Sequence, residues 1–297
     1  MESGILLIDK PASVTSFEVV RLARRALEMR KIGHLGTLDP FATGLLPLCL
    51  GQATKLVPFL MPEPKTYLAT VKLGEETDTQ DLTGAVLNRS ENLPGREEIY
   101  RVAARFVGQI EQTPPMYSAV HYRGQRLYKL ARRGEEVAVP PRKVTVYRLE
   151  VQEVSLPEVF VLVTCSQGTY VRTLAADLGK ALGCGAHLAA LRRLAVGHFQ
   201  VEEALAMARL TVASPQEFWG RIIPLRDCLP GLRAVEVEPE QARLLRQGRA
   251  LPCPANGFNS DEQVRVMTRW ELVAVARVKN AAPQVWLAPV RVFTQEI

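Results

Sequence analysis

The chain has 297 residues, 47% of them hydrophobic and 23% charged, with a formal net charge of +6. That balance suits one large core with a small second domain and excludes wholesale disorder. Every apolar run is broken by Pro or charge well short of the roughly 20 residues a membrane span requires, and the opening Met1-Glu2-Ser3-Gly4 lacks the features of a secretory signal, so a cytoplasmic protein is expected.

Ile5-Leu6-Leu7-Ile8 reads as a short buried strand closed by Asp9-Lys10-Pro11. Thr15 and Glu18 have the spacing of a capping box, in which each side chain satisfies an otherwise free N–H. A helix is expected from there, with Val19, Leu22, Ala23 and Ala26 inward and Arg21, Arg24 and Arg25 outward, ending near Lys31 to Gly33. Gly33 to Gly44 holds three glycines and Pro40, which predicts an ordered loop. An apolar connection (Leu45, Leu46, Leu48, Leu50) leads to a helix from Gln52 to Leu60. Lys65 to Leu73 alternates as a strand, with Tyr67, Ala69, Val71 and Leu73 facing one way. Thr77 to Gly84 is a polar turn without the spacing of a calcium loop. A helix is expected near Glu97 to Phe106, after which Thr113-Pro114-Pro115 interrupts the chain.

Residues 121 to 150 hold eight Lys/Arg (Arg123, Arg126, Lys129, Arg132, Arg133, Arg142, Lys143, Arg148) against Glu135, Glu136 and Glu150, so +5 of the chain's +6 lies there. A basic segment on a near-neutral body is the footprint of a polyanion partner, although charge alone equally suits a solvated surface. Val144 to Val154 and Val159 to Cys165 read as paired strands. Gly168-Thr169 turns into a helix with Leu174, Leu178 and Leu182 on one side and Gly183 past its end, and a second helical piece is expected through Leu188, Leu191 and Leu194. After Pro230 a helix over Pro239 to Gln247 and strands over Gln263 to Thr268, Glu271 to Val278 and Val285 to Phe293 make a compact tail. The body shows no regular βαβ alternation, so the fold class is α+β, with a boundary near residue 230.

Five cysteines, Cys49, Cys165, Cys184, Cys228 and Cys253, show no CxxC spacing, and Cys184 with His187 has no second ligand pair. Neither a disulfide framework nor a metal site is expected. The sharpest chemical feature is Asp39, expected as an exposed carboxylate in a rigid loop. Pro40 biases its backbone toward the extended region, and Gly36 and Gly44 permit tight turns around it. By itself such an Asp is more often a turn former than a nucleophile, because Asp is favoured in turns for local reasons.

The stretch His34-Leu35-Gly36-Thr37-Leu38-Asp39-Pro40-Phe41-Ala42-Thr43-Gly44 resembles the signature of the TruB family of tRNA pseudouridine synthases. Further motifs agree in order and spacing: Asp9-Lys10-Pro11 with Thr15-Ser16, Lys65-Thr66-Tyr67, Pro115-Met116-Tyr117-Ser118-Ala119 with Gly124, Tyr128 and Ala131-Arg132, and Gly168-Thr169-Tyr170-Val171-Arg172. Gly183-Cys184-Gly185-Ala186-His187 and Leu191-Arg192-Arg193-Leu194 complete a resemblance that covers about residues 4 to 200. It departs at Ser13, where Gly is usual, and at His121 and Gln167, where Lys is usual.

The resemblance implies a pseudouridine synthase fold with a mixed, mainly antiparallel central sheet. It implies a catalytic domain over 1–230 with an RNA-gripping insertion over 113–150, and a PUA-like RNA-binding domain over 231–297. The implied reaction turns uridine 55 in the T loop of tRNA into pseudouridine: the base is flipped out, its N1–C1′ bond breaks and a C5–C1′ bond forms, with no cofactor. Asp39 would be the catalytic carboxylate and Arg172 its guanidinium partner. Tyr67 would pack on the base with a phenol able to exchange a proton. His34 would fill the stack left by the flipped base, Tyr170 and Leu191 would line an apolar wall, and Lys10 would support the loop or reach the RNA backbone. Arg123, Arg126, Lys129, Arg132 and Arg133 would grip phosphates. The implied partner is the tRNA T stem-loop, with no membrane and no obligate protein partner, and a monomer is expected. Two other readings stay open: a catalytic subunit that needs a guide RNA and partner proteins, and an RNA-binding or RNA-folding protein without catalysis. The near-complete insertion resembles the stand-alone type, and an intact Asp39, Tyr67 and Arg172 argue against a non-catalytic protein.

Overall fold

The apolar run at the start of the chain forms a fully paired strand, β1 (Gly4–Lys10), in a computed structural model that describes residues 3–118, 120–122, 124–131, 133–135, 137–254, 257–281 and 284–294. Helix α1 (Ser16–Ala26), β2 (Ile32–His34), β3 (Thr43–Leu50), a 3-10 turn with α2 (Val57–Leu60) and β4 (Lys65–Leu73) follow. A hairpin of β5 (Glu75–Thr77) and β6 (Val86–Arg89) leads to α3 (Arg96–Ala103) and β7 (Gly108–Gln112). The basic segment forms β8 (His121–Tyr122), β9 (Gln125–Arg126) and α4 (Leu127–Ala131). Next come β10 (Arg142–Ser155), β11 (Glu158–Cys165), α5 (Val171–Ala181) and β12 (Ala186–Val196). Short pieces follow: β13 (Phe199–Gln200), β14 (Leu205–Ala206), α6 (Arg209–Val212), α7 (Pro215–Trp219) and β15 (Ile223–Pro224). The tail holds β16 (Arg233–Glu236), α8 (Pro239–Arg246), β17 (Leu251–Pro252), β18 (Gln263–Met267), β19 (Leu272–Ala281) and β20 (Gln284–Val292).

The capping box is made as the spacing requires. The Glu18 N–H donates to the Thr15 hydroxyl at 3.2 Å and the Thr15 N–H to the Glu18 carboxylate at 2.8 Å. The helix stops earlier than expected. Glu28 takes a positive φ of 52°, which a continuing helix does not allow, and Ile32–His34 instead pairs with β3. The stretch read as an apolar connection is β3 itself, buried from Gly44 to Leu50.

Among the described residues eleven strands form one sheet, with the path β14-β1-β3-β12-β4-β11-β10-β7 and β2, β13 and β15 at its margins. Most pairs are antiparallel; β3–β12 and β1–β14 are parallel. The segment expected as a second helical piece is a correction: Leu188, Leu191 and Leu194 lie on strand β12. Its register slips between Leu188 and Ala190 and again between Arg193 and Ala195. Each slip inserts a residue and shifts the two-residue alternation out of phase, which imitates a helical spacing.

On one face, α3 and α5 cover the sheet through Ile99, Val102, Leu174 and Leu178 against Ala69, Val71 and Val161. A five-stranded sheet, β16-β18-β19-β20-β17, forms the tail. One buried cluster crosses between the two sheets, with Ile5, Leu7, Leu45 and Cys49 joining Leu272, Val275 and Phe293. Gln52 reinforces the junction, donating to the Thr294 carbonyl at 2.7 Å and accepting from its N–H at 2.8 Å. Among the described residues no helix is long and apolar enough to cross a membrane.

Candidate active site

The two halves of the large sheet meet where β3 runs parallel to β12, with Thr43 opposite Arg192 and Gly44 opposite Arg193. A Cβ at Gly44, whose φ is +100°, would lie 2.3 Å from the Arg193 carbonyl oxygen, so glycine alone permits this approach. The loop leading into this junction, between β2 and β3, carries Asp39.

Three contacts fix that loop. The Ser16 hydroxyl accepts from the Leu38 N–H at 2.9 Å and donates to the Leu38 carbonyl at 3.2 Å. The Ala42 N–H closes a turn on the Asp39 carbonyl at 3.1 Å. Lys10 reaches in from β1 and donates to the carbonyls of Pro11, Val14 and Pro40 at 2.8, 2.8 and 3.2 Å. Lys10 is fully buried, and its ammonium is occupied by these carbonyls. These bonds tie the turn after β1 to the loop that carries Asp39. Burial, partly offset by Asp39, brings its pKa down to about 8.

Asp39 is half-buried rather than exposed, with 33% of its side chain accessible. Arg172, near the start of α5, donates to its carboxylate at 3.0 Å. The same guanidinium donates to the Tyr117 carbonyl at 2.9 Å and to Asp81 at 3.3 Å. Asp81 is buried in the Thr-rich turn, where it accepts from the Thr79 hydroxyl at 2.8 Å and from Thr83 through its hydroxyl at 2.6 Å and its N–H at 2.9 Å. Burial raises the Asp39 pKa above its ordinary 3.8; Arg172 opposes the rise, Asp81 adds to it, and Lys10 opposes it.

Tyr67 projects from β4 directly opposite Arg193 on β12. Burial raises its phenol pKa and the Arg193 guanidinium opposes that rise. Asp39, Tyr67 and Arg172 together line an open cavity of about 960 Å³, along with Tyr170, Leu191, Arg126, Asp81, Lys65 and Arg193. Gln112 seats Tyr170 by bonding both its N–H and its carbonyl, at 2.7 and 3.1 Å.

The other expected site residues are more scattered. His34 ends β2 and does not line this cavity; among the described residues its Nδ1 is buried without a hydrogen-bond partner, and burial lowers its pKa. Lys129 and Arg133 line a separate hollow of about 470 Å³ with His121, Gly124 and Gln125, and Arg126 borders both spaces. Arg123 and Arg132 lie outside the described residues.

Sequence reasoning missed Asp81, Lys65 and Arg193. Asp81 was hidden in a turn read as merely polar, although Thr79 and Thr83 beside it supply the hydroxyls a buried carboxylate needs, while the Thr77 hydroxyl bonds its backbone carbonyl. Arg193 follows from Leu191 by two residues and shares its side of a strand, a signal lost when that segment is read as a helix.

Residues 24–171 match the TruB family pseudouridylate synthase (N terminal domain), and residues 172–229 match the tRNA pseudouridylate synthase B C-terminal domain. The chain is 43% identical to tRNA pseudouridine synthase B of Syntrophus aciditrophicus, over 95% of this chain and 93% of that protein. It is 45% identical to the protein of the same name in Dechloromonas aromatica, over 85% and 84%. Among solved structures, a chain of a Cbf5-Nop10-Gar1 complex superposes with a TM-score of 0.76 at 28% identity, covering 98% of this chain and 85% of that one. A chain of an H/ACA RNP bound to a substrate RNA containing 2′-deoxyuridine gives 0.75 at 26% identity, with the same coverage.

Proposed function

This chain belongs to the TruB family of pseudouridylate synthases, and from that premise we propose that it isomerises uridine 55 in the T loop of tRNA to pseudouridine, acting without a guide RNA. The observation that carries the reading is the Asp39–Arg172 contact at 3.0 Å, on the wall of a cavity shared with Tyr67. A uridine flipped into that cavity leaves its stack at a cost of a few kcal/mol. The reaction then needs an anionic oxygen at the junction of sugar and base. Asp39 supplies it, and Arg172 favours its charged form and fixes its orientation. The anchored guanidinium needs no rearrangement as charge redistributes. Tyr67 packs on the base with its phenol toward the exchanging proton, while Tyr170 and Leu191 complete the wall. His34 enters the vacated stack. Arg126, Lys129 and Arg133, with Arg123 and Arg132, take the phosphates.

In this reading residues 1–230 are the catalytic domain and 231–297 a PUA-like RNA-binding domain. The enzyme works as a monomer in the cytoplasm, where its tRNA substrate is found. The test is incubation of the purified chain with an unmodified tRNA transcript, followed by mapping of pseudouridine at single-nucleotide resolution. Modification of uridine 55 alone is expected. The similarity to chains solved in the Cbf5 and H/ACA complexes supports a second reading, in which a guide RNA selects the target. Product that forms only after guide RNA and partner proteins are added would establish that reading instead.

A further inference from the structure

Arg193 is 1% exposed and is among the largest fully buried side chains of the protein. Among the described residues no Asp or Glu pairs with it. Its Nε donates to the Leu45 carbonyl on β3 at 2.7 Å, and one Nη donates to the Gly36 carbonyl in the catalytic loop at 3.1 Å. Two anchors on different elements fix the plane of the guanidinium. Across the β12–β4 ladder its direct partner is Tyr67, and the two residues line the same cavity. The other titratable groups that feel its charge are Lys10 on β1, Lys65 on β4 and His34 on β2, none of them anionic. Tyr67 in turn faces Asp39 in the loop and Cys165 on β11. A cation held this far from water is costly to fold around unless neighbouring groups compensate it. The neighbour placed to do so by taking negative charge is the Tyr67 phenol.

We infer that Arg193 is a positioning residue for Tyr67: it donates to the phenol oxygen, turns the phenolic proton toward the cavity, and stabilises the phenolate when that proton leaves. The inference rests on the reading of Tyr67 as the proton-exchanging group. Isomerisation removes one proton from C5 and adds one at N1. A phenol that mediates this exchange alternates between neutral and anionic forms, while the guanidinium beside it keeps a constant positive charge. With Asp39 across the cavity and burial both opposing a phenolate, Arg193 supplies the opposing influence. Lysine would keep the charge but not the planar fork that reaches Leu45, Gly36 and Tyr67 together.

The test uses the full chain as wild type, Arg193→Lys, Tyr67→Phe and the double variant. Single-turnover pseudouridine formation is measured on a tRNA transcript at saturating enzyme, with tRNA affinity determined separately. Arg193→Lys should slow the reaction roughly 100-fold, the low end of what a positioned proton-transfer group contributes, and leave affinity nearly unchanged. In the Tyr67→Phe background the same change should add less than about 2-fold, because a residue that acts through another has little left to act on. A Tyr67→Phe chain with full activity would defeat the reading of Tyr67 itself. A slowed Tyr67→Phe chain in which Arg193→Lys costs its full factor again would overturn the role of Arg193 and leave it only the task of tying the loop. Should Arg193→Lys fail to fold, nitrogen-15 arginine spectra decide. A solvent-protected Nη signal that shows a cross-peak to the Tyr67 ring and shifts in Tyr67→Phe supports the inference, and its absence overturns it.

Discussion

Ser16 satisfies both backbone groups of Leu38 with a single hydroxyl, accepting from the N–H at 2.9 Å and donating to the carbonyl at 3.2 Å. It joins the first turn of α1 to the residue before Asp39. Ser16→Ala would leave a buried donor and acceptor without partners, a loss of about 1–3 kcal/mol for each group left unsatisfied. Thermal unfolding should show that loss, and single-turnover rates should fall with tRNA affinity nearly intact. An unchanged rate in a destabilised Ser16→Ala chain would separate loop anchoring from catalysis.

Asp39→Asn should abolish detectable pseudouridine formation while binding tRNA at close to wild-type strength. The amide keeps the shape and one acceptor for Arg172 but lacks the anionic oxygen. Substantial product from a sequence-verified sample would remove Asp39 from the mechanism.

The pH dependence follows from burial. Asp39 must be ionised to act and its pKa lies above 3.8, so the single-turnover rate should fall as pH drops through a value above 3.8. Arg172 is the largest influence opposing that rise, so Arg172→Gln should move the acid limb to higher pH as well as slowing the reaction. The stability sign is the reverse of that for an ordinary salt-bridged carboxylate. A raised folded-state pKa makes Asp39 unfavourable to folding above that pKa, and the penalty is relieved as pH falls toward the unfolded value. An acid limb that stays in place in Arg172→Gln would contradict this assignment of causes.

Neutral replacement of Arg123, Arg126, Lys129, Arg132 and Arg133 should weaken tRNA binding far more than it slows chemistry on bound RNA. Each lost phosphate contact should flatten the plot of log affinity against log salt by roughly 0.7–0.9. Single-turnover rates at saturating enzyme should recover most of the way to wild type. An unchanged salt slope would mean that the RNA is gripped elsewhere, with residues 231–297 the next surface to examine.

Ser13, which stands where the family usually has Gly, has a φ of +63°. A left-handed backbone costs a residue with a Cβ roughly 1–2 kcal/mol, a penalty that glycine escapes. Ser13→Gly should raise the melting temperature by about 2–4 °C per kcal/mol recovered, less glycine's extra entropy in the unfolded chain. The rate should not change, because the residue is exposed and the carbonyls that Lys10 binds belong to Pro11 and Val14. A lower melting temperature would show that the serine side chain stabilises the turn.

Local chemistry made some elements legible in the sequence. The capping box at Thr15 and Glu18 gave the start of α1, and the alternation from Lys65 to Leu73 gave β4 with its bounds. Asp39 and Arg172, 133 residues apart, were brought together by resemblance, since no local pattern encodes such a distance. Lys10 shows the same limit: its sequence neighbours do not reveal that it is buried, because one of the carbonyls that hold its ammonium, that of Pro40, lies 30 residues away. Strand β12 was misread because its two register slips are tertiary features, set by pairing with β4. With the strand went Arg193, whose meaning depends on the residue across the ladder. Asp81 was lost for a related reason: what marks it is the guanidinium that meets it from α5.

The hydrophobic cluster that runs from Ile5 and Cys49 to Leu272 and Phe293 has a mechanical consequence. Apolar side chains interleave across the seam and Gln52 clasps Thr294, so the tail sheet is held to the large sheet by packing and hydrogen bonds as well as by the chain that joins them. Residues 272 to 294 of the tail are thereby packed directly against the strands that lead into the Asp39 loop.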